Sequence, residues 1–331
     1  MDRQTGEPGR IDAQRAPRTR RKRRWIRKSL IAIALLFVLS LGAFVLWANS
    51  KIVHVAALSG AANTPGQTYL IVGSDSRDGW IDDGVTGART DTIMLLHQPE
   101  SGPTALISIP RDSYVEIPGH GSNKINAAFA FGGPPLLVQT VENLTGLTID
   151  GYLEIGFMGV LDVVDALGGV ELCYDTDVND PRSDLVWTAG CHQVDGTTAL
   201  AFARMRYADP IGDIGRTQRQ QQLVAAVADG ALRPSTLLNP FAVIRITDAG
   251  LGSLRVSDGM NVFDLAQAAR VFNSARGNGA VTGTPPLVSL DHRVDGVGST
   301  VLLDPDTIEE FWRQIAEGGY PPGPVGGWGS G

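Results

Sequence analysis

The chain has 331 residues, of which 43% are hydrophobic and 19% are charged. This is enough for one large domain or two small ones with a well-formed core. Residues 1–28 hold 11 basic and 3 acidic residues, and subtracting these from the totals of 28 and 35 leaves 17 basic and 32 acidic residues in the remainder. An acidic body of this size argues against nucleic acid as a general partner.

The arginine-rich stretch 1–28 is typical of a solvated, disordered tail. The run from Leu30 to Trp47 has no charged residue and spans about 27 Å as a helix, close to the thickness of a bilayer core. We therefore predict one transmembrane helix over residues 29–48. Because basic residues stay on the cytoplasmic side, the N-terminus is expected in the cytoplasm and the rest of the chain outside, as in a single-pass cell-membrane protein.

A cleaved signal peptide is the competing interpretation of this apolar run. The hydrophobic region of a signal peptide is normally about 7–15 residues long and is followed directly by a site of small residues. The run here is longer and is followed by WANSK, which favours a retained anchor. Residues 49–67 read as a juxtamembrane linker, and the globular domain is predicted to begin at residue 68.

Three strands are predicted at Tyr69–Gly73, Thr92–His97 and Thr104–Ile109. Their short connections favour an antiparallel meander, in which the end of the first, the start of the second and the end of the third share one edge. The charged residues at this edge are Asp75, Arg77, Arg89, Asp91, Arg111 and Asp112. The alternative is that these charged residues have no function, because strand ends often carry charged residues. Three successive strand ends with alternating Asp and Arg favour a functional site instead.

Helices and strands alternate further along the chain. Helices are predicted at Leu136–Thr145 and Phe157–Leu167, and strands at Asp150–Ile155 and Val170–Tyr174. Such alternation predicts an α/β layered domain, with a central mixed β-sheet flanked by helices, after the transmembrane helix. The domain is expected to span residues 68–317, and the Gly/Pro-rich residues 318–331 to be disordered.

The part of this domain after residue 230 carries no recognisable chemistry and is interpreted as packing. Helices are predicted there at Leu237–Asp248, Val262–Ser274 and Pro305–Ala316, and strands at Leu287–Leu290 and Thr300–Leu303. The only two cysteines, Cys173 and Cys191, are expected to form a disulfide if the domain lies outside the membrane. With His192 they do not match the spacing of a zinc finger, so a metal site is a poor alternative.

The stretch RMRYADPIGDIGRTQRQQQ, residues 204–222, contains arginines and no lysine. A guanidinium is always charged and its planar fork of donors suits phosphate. A helix is predicted to deliver Arg204 and Arg206, capped by Asp195 or Gly196, and a second to open near Asp213. Arg216, Arg219 and Gln220 then fall on one face of its first turns, where the helix dipole favours an anion. Polyphosphate binding and a solvated basic helix start paired with Asp209 and Asp213 remain equally open from this stretch alone.

Several motifs together resemble the LytR-CpsA-Psr family. They are GSDSR at 73–77, RTDTIMLL at 89–96, SIPRD at 108–112, KINAAF at 124–129, FMGVLDVVDALGGVE at 157–171, and ALAFARMRY with DIGRTQRQQ within 199–221. The resemblance covers residues 68–228, and the basic tail and single membrane helix fit it as well. It implies an extracytoplasmic phosphotransferase that moves an anionic glycopolymer from a polyprenyl-pyrophosphate carrier onto peptidoglycan, commonly at the muramic acid 6-hydroxyl.

The resemblance also implies roles for individual residues. Asp75 and Asp91 match the magnesium-binding aspartates, with Mn²⁺ as the alternative ion. The pyrophosphate contacts it implies are Arg89, Arg111, Arg204, Arg206 and Gln220. Arg77, Lys124, Asn126, Arg216 and Arg219 lie inside matching motifs and are assigned to substrate binding. We assign catalysis to Arg89, Asp91, Arg204 and Arg206, with Asp91 as first and Asp75 as second candidate for the base that accepts the hydroxyl proton.

Two other functions remain open from the sequence. The same site could hydrolyse the lipid-linked pyrophosphate with water in place of the sugar hydroxyl. Alternatively, the chain could be a non-catalytic, membrane-tethered binder or a regulator of envelope biogenesis. The expected partners are a polyprenyl-pyrophosphate-linked glycopolymer, a peptidoglycan acceptor and the membrane, with no nucleic acid.

Overall fold

A computed structural model describes residues 18–74, 90–205 and 212–328. The chain divides into two compact units, residues 1–47 and 48–331. Helix α1 (Arg18–Asn49) accounts for the described part of the first unit, and its segment Trp25–Asn49 is apolar and long enough to cross a membrane. The N-terminal apolar helix is therefore confirmed. The basic tail is already helical from Arg18 onward, in contrast to the predicted disorder, because Lys and Arg are good helix formers.

The second unit is a layered assembly of strands and helices. Its strands are β1 (Val53–Val55), β2 (Gln67–Ser74), β3 (Thr90–Gln98), β4 (Ala105–Ser108), β5 (Tyr114–Ile117), β6 (Gly121–Lys124), β7 (Gly151–Gly156), β8 (Val170–Tyr174), β9 (Val178–Asp180), β10 (Leu185–Trp187), β11 (Gly190–Val194), β12 (Leu254–Ser257), β13 (Val281–Val294), β14 (Gly298–Leu303) and β15 (Gly323–Trp328). Its helices are α2 (Ile125–Thr145), α3 (Phe157–Leu167), α4 (Gly196–Arg204), α5 (Gly212–Leu232), α6 (Pro234–Leu237), α7 (Pro240–Gly252), α8 (Val262–Ala275) and α9 (Ile308–Glu317).

Within the described residues, nine strands form one central sheet in the order β1-β12-β7-β2-β3-β4-β13-β14, with β15 paired to β13. The pairs β2–β3 and β3–β4 are antiparallel, which confirms the predicted meander. The pairs β2–β7, β4–β13 and β1–β12 are parallel, so the predicted mixed sheet is also confirmed. Two-stranded pairs β5–β6, β8–β11 and β9–β10 stand apart from this sheet.

Side chains alternate between the two faces of the central sheet, as strand geometry requires. On β2, Leu70 and Val72 are buried in a core shared with α2 and α9, whereas Tyr69 belongs to a second core shared with α8. Helices thus cover both faces, which is why β2 and its neighbours read as continuous apolar runs. A third core, which includes Phe202 and Trp187, lies among α3, α4, α5 and the pairs β8–β11 and β9–β10.

Cys173 and Cys191 lie opposite each other in β8 and β11 and are joined by a disulfide, as predicted. Helix α2 is broken in its middle, where Gly132 and Gly133 have non-helical backbone angles, and the part after the break contains the predicted helix Leu136–Thr145. Beyond residue 230, the single helix predicted at Leu237–Asp248 is two helices. Asn239 separates them, because its side chain caps the backbone amides of Phe241 and Ala242 at the start of α7.

Two segments predicted to lie outside the domain belong to its sheet. The linker 49–67 contributes β1, and its Ala57 is buried in the core with α2 and α9. The Gly/Pro-rich tail was predicted to be disordered, which is wrong for residues 323–328, because they form β15. A Cβ atom at Gly326 would collide with the carbonyl of Thr284 on β13, so glycine is what permits this close strand pairing.

A buried hydrogen-bonded network anchors the end of β2. The hydroxyl of Ser74 donates to Oε1 of Glu154 on β7 at 2.5 Å, and the Tyr152 hydroxyl donates to Oε2 at 3.0 Å. Burial and the adjacent Glu154 carboxylate raise the pKa of Tyr152, which keeps its phenol protonated as a donor. The carboxylate of Glu154 therefore ties β2 to β7 beside the edge where the GSDSR motif leaves the sheet.

His97 on β3 is a buried histidine held between two neighbours. Its Nδ1 lies 3.0 Å from Thr68 Oγ1 and its Nε2 lies 3.2 Å from the Ala316 carbonyl oxygen on α9. Because a carbonyl can only accept, Nε2 donates to Ala316 and Nδ1 accepts from the Thr68 hydroxyl. Burial lowers the pKa of His97, so the folded protein holds the ring neutral.

This lowered pKa makes stability depend on pH in one direction. The contribution of His97 should be complete above the ordinary histidine pKa of about 6.5 and be lost as pH falls through the lower folded pKa, because protonation then favours unfolding. We expect the wild-type melting temperature to fall between neutral and mildly acidic pH more steeply than that of His97→Gln. The exposed His120 provides the matched control: His120→Gln should keep the wild-type slope, and an equal slope in His97→Gln would contradict the assignment.

Candidate functional site

Three strand ends meet at one edge of the sheet. Ser74, the last residue of β2, pairs with Thr90, the first of β3, and Met94 pairs with Ser108 at the end of β4. Beyond β4, the amide of Ile109 still donates to the Ile93 carbonyl at 2.9 Å. The predicted shared edge of the three strand ends is therefore confirmed for the described backbone, which includes Ser74, Thr90 and Ser108 of these motifs.

Part of the predicted site lies outside the described residues. Asp75, Arg77 and Arg89 fall in residues 75–89, and Arg206 falls in residues 206–211. Asp75 nevertheless follows Ser74 directly in the chain and Arg89 directly precedes Thr90. Their points of attachment are therefore the paired ends of β2 and β3.

The backbone of Asp91 sits in a β-bulge that the sequence does not reveal. Gly73 pairs with Thr92 and Ser74 pairs with Thr90, so the register skips Asp91. Bulges interrupt the alternation of a strand and are frequent next to active sites. A Cβ at Gly73 would lie only 3.1 Å from the Thr92 Cβ, which explains the glycine of GSDSR as a close-packed position. The side chain of Asp91 itself is outside the described part of the structure.

Arg111, Lys124 and Asn126 are brought together beside this edge. The carboxylate of Asp112 bridges the two cations, with Oδ1 at 2.8 Å from Lys124 Nζ and Oδ2 at 3.3 Å from Arg111 Nε. The backbone amide of Asn126 donates to the Arg111 carbonyl at 3.1 Å, so the first turn of α2 is docked on the same loop. Arg111 and Lys124 remain 24% and 27% exposed, which leaves both side chains accessible to an anion.

Helix α4 presents the first arginine of the 204–222 stretch. Asp195 caps the helix by accepting from the Thr198 amide at 2.8 Å, as one of the two predicted caps. Phe202 is fully buried in the third core, whereas Arg204 at the last turn is exposed. Within the described residues, no hydrogen bond or ion pair occupies the Arg204 guanidinium, so its donors face solvent.

Arg219 differs from Arg204 because it is buried, with 3% of its surface exposed. Its Nε donates to the Phe202 carbonyl at 3.2 Å, its Nη2 donates to the Met205 carbonyl, and its guanidinium carbon lies 5.7 Å from the centre of the Tyr174 ring. Carbonyls at a helix C-terminus lack intrahelical partners and attract a cation. Arg219 thus fixes the end of α4, and its assignment to substrate binding stays a prediction.

Two further residues of the 204–222 stretch lie on the same helix as Arg219. The backbones of Arg216 and Gln220 belong to α5, but their side chains are outside the described atoms. Asp213 lies inside α5 rather than ahead of it, because the helix is already formed at Gly212. The predicted helix is therefore present, with an earlier start than the capping preference of Asp213 indicated, and the anion-binding face assigned to it stays a prediction.

Helix α3 connects the strand edge to α4. Gly156 pairs with Ser74 at the end of β7, and α3 begins at the next residue. Further along α3, the Asp165 carboxylate accepts from the Gly196 amide at 2.8 Å, at the start of α4. A Cβ at Gly196 would collide with the Leu161 backbone of α3, so glycine allows α4 to pack directly on α3.

The described residues contain no group of three or more His, Cys, Asp or Glu side chains suited to a metal ion. The predicted metal site depends on Asp75 and Asp91. Asp75 follows Ser74 in the sequence and Asp91 follows Thr90, and Ser74 and Thr90 are paired on adjacent strands. Mg²⁺ accepts one or two carboxylates together with substrate oxygens and water, so this donor set fits the ion by chemistry.

Comparison with known proteins gives consistent matches. The chain is 44% identical over 296 residues to "Probable cell wall biosynthesis protein LcpB" of Corynebacterium glutamicum, which covers 86% of this chain and 69% of that protein. It is 37% identical over 174 residues to "Polyisoprenyl-teichoic acid--peptidoglycan teichoic acid transferase TagU" of Enterococcus faecalis, which covers 52% of this chain and 56% of the relative.

The fold is shared with a solved LytR-Csp2A-Psr enzyme from Actinomyces oris, with a TM-score of 0.60, 20% identity, and coverage of 80% of this chain and 96% of that one. The LytR_cpsA_psr family model matches residues 47–278, which extends the motif resemblance past residue 228. Since this match covers more than half of the chain and includes the motifs at the strand edge, the protein belongs to the LytR-CpsA-Psr family.

Proposed function

We propose that this protein is a membrane-anchored phosphotransferase that moves a glycopolymer from a polyprenyl-pyrophosphate carrier onto peptidoglycan and forms a phosphodiester. The observation that supports the proposal is the shared sheet edge of the β2, β3 and β4 ends, the strands that the family's charged motifs adjoin in sequence. The name of the Enterococcus faecalis relative, a teichoic acid transferase acting on peptidoglycan, supports the same class of reaction.

The proposed reaction requires that the negative charge of the pyrophosphate be neutralised and that the acceptor hydroxyl be positioned at the phosphorus. A hydroxyl oxygen of the acceptor forms a new bond to the phosphorus that carries the glycopolymer, and the P–O bond to the polyprenyl phosphate breaks. Polyprenyl phosphate leaves with the bonding electrons, and the hydroxyl proton passes to Asp91, or to Asp75 as the second candidate. Bound magnesium at these aspartates would supply additional neutralisation of phosphate charge.

Cations presented at fixed positions are suited to this step, because preorganised charges need not reorganise as the transition state forms. Arg111 and Lys124 are held on either side of Asp112, and the end of α4 is held by Arg219. Arg204 is exposed, and no hydrogen bond or ion pair from the described residues occupies its guanidinium. We assign Arg89, Arg204 and Arg206 to the pyrophosphate, together with Arg77, Arg111, Lys124, Asn126, Arg216 and Gln220.

The proposed location is the outer side of the cell membrane. The basic residues before the apolar segment favour a cytoplasmic N-terminus. The disulfide between Cys173 and Cys191 supports the same orientation for the body, because disulfides persist in oxidising compartments.

The function is tested with the full-length protein, a synthetic polyprenyl-pyrophosphate-linked sugar and peptidoglycan fragments, with products identified by mass. We expect a peptidoglycan fragment that has gained the sugar phosphate, together with polyprenyl phosphate. Release of free sugar phosphate alone would instead identify a hydrolase, and donor retained without turnover would identify a binding protein.

In this assay, Arg204→Ala should lower the transfer rate by roughly a hundred- to a thousand-fold, or about 2.7–4 kcal/mol, as expected for a lost charge-stabilising group. The exposed side chain carries no fold contact among the described residues, so the melting temperature should stay at the wild-type value. Arg276→Ala, an exposed arginine at the end of α8, serves as the matched control and should retain full activity. Near-normal turnover by Arg204→Ala would remove Arg204 from the mechanism.

A chelator should abolish transfer, and Mg²⁺ or Mn²⁺ should restore it, because the two aspartates suit a hard divalent cation. The measurement is the yield of the transfer product before chelation, after chelation and after metal is added back. Full activity in excess chelator would show that the reaction proceeds without a divalent ion.

Arg219 should behave differently from Arg204. Arg219→Gln leaves buried carbonyls of Phe202 and Met205 without their donor, and each unsatisfied group costs about 1–3 kcal/mol of folding free energy. We therefore expect a lower melting temperature for Arg219→Gln but not for Arg204→Ala, measured on full-length protein in the same detergent. An unchanged melting temperature in Arg219→Gln would show that the guanidinium does not support the fold.

A further inference from the structure

Large apolar side chains are exposed on α7 and directly before it, where the surface of a helix is normally polar. Phe241, Ile244 and Asp248 recur at helical spacing, and Phe241 and Ile244 are 78% and 43% exposed. Leu237 and Leu238, directly before this helix, are 57% and 84% exposed. A run of exposed large apolar side chains is unusual on a soluble face and marks a contact with another apolar medium.

Two residues just beyond the apolar run that ends at Trp47 are fastened to this part of the body: Lys51 pairs with Asp248 near the C-terminal end of α7, and Asn49 binds the start of α8. Nζ of Lys51 lies 2.8 Å from Oδ1 of Asp248, and the Asn49 side chain accepts from the Val262 amide at 2.9 Å. Lys51 is only four residues beyond Trp47, so its backbone lies within about 14 Å of the end of the apolar run. The headgroup region on each side of a bilayer is several ångströms thick, so this face of the body is held near the membrane surface.

The charges around the stripe suit an anionic lipid surface. Asp248, the single acidic residue of α7, is paired with Lys51. Arg245 on α7 and Arg233 just before α6 are exposed, and neither forms an ion pair with another residue in the described part of the chain. Long basic side chains can reach headgroups while neighbouring apolar side chains enter the interface.

We propose that the stripe formed by Leu237, Leu238, Phe241 and Ile244 rests in the headgroup region of the bilayer that anchors the chain. The body then has a second contact with the membrane in addition to the transmembrane helix. This contact limits rotation of the body about its anchor and fixes which face is presented to a lipid-linked ligand. It does not depend on the proposed reaction, because it concerns a surface that carries none of the assigned site residues.

The test uses full-length protein in nanodiscs that contain anionic lipid and a nitroxide-labelled lipid as quencher. Both native cysteines are paired, so Phe241→Cys introduces the single free thiol, which is labelled with an environment-sensitive fluorophore. Val186→Cys is the matched control, since Val186 on β10 is also apolar and is 76% exposed. We expect several-fold stronger quenching at position 241 than at position 186, with a blue-shifted emission at position 241.

Equal quenching at positions 241 and 186 would overturn the proposal. Disulfide cross-linking between Phe241→Cys copies without lipid quenching would overturn it as well, because the stripe would then dock a second copy of the chain. If Phe241→Cys fails to reach the wild-type melting temperature, Leu238→Cys in the connection between α6 and α7 replaces it, with the same expected outcomes. The measurement uses no turnover, so failure of the proposed reaction leaves its interpretation unchanged.

Discussion

The backbone pairing between β2 and β3 is the constraint on which the candidate site depends. It places Ser74 opposite Thr90, and the pairing of β3 with β4 then brings the SIPRD segment to the same edge. A shift of one residue in such a register would turn every side chain of the strand to the opposite face. Side-chain packing on both faces of β2 resists such a shift, because each face is fitted to its own covering helices. The position of the site is therefore a consequence of how the core is packed.

Gathering cations at one edge raises a second problem, since like charges repel one another. Acceptor groups of the protein itself reduce this repulsion between the cations. Asp112 lies between Arg111 and Lys124, and the free carbonyls at the end of α4 receive Arg219. Arginines in one motif thus divide into those that support the backbone and those, such as Arg204, that keep their donors for solvent or ligand. The burial of each arginine side chain distinguishes these two groups, whereas the amino-acid composition of the motif does not.

Much of the fold follows from local sequence. The bounds predicted for the helix Phe157–Leu167 coincide with α3, where an apolar periodic run ends at paired glycines. The cap at Asp195 was likewise predictable from its side chain. The bulge at Asp91 and the burial of Arg219 were not, because both arise from partners distant in sequence. Strand β15 was missed for a different reason: its glycines signal disorder by composition, whereas at Gly326 the missing side chain permits close approach to β13.

Helix α4 is fastened unequally at its two ends. Its beginning follows β11 directly, and there the disulfide, the Asp195 cap and the contact of Gly196 with Asp165 act within a few residues of one another. Among the described residues, its far end is held by the hydrogen bonds of Arg219 to the Phe202 and Met205 carbonyls and by the burial of Phe202 and Met205 in the third core. The start of α4 is therefore held close to a covalent cross-link, whereas its end is held by non-covalent contacts. A ligand that draws Arg204 outward would work against the hydrogen bonds of Arg219 and the packing of Phe202 and Met205, with no covalent bond at that end among the described residues.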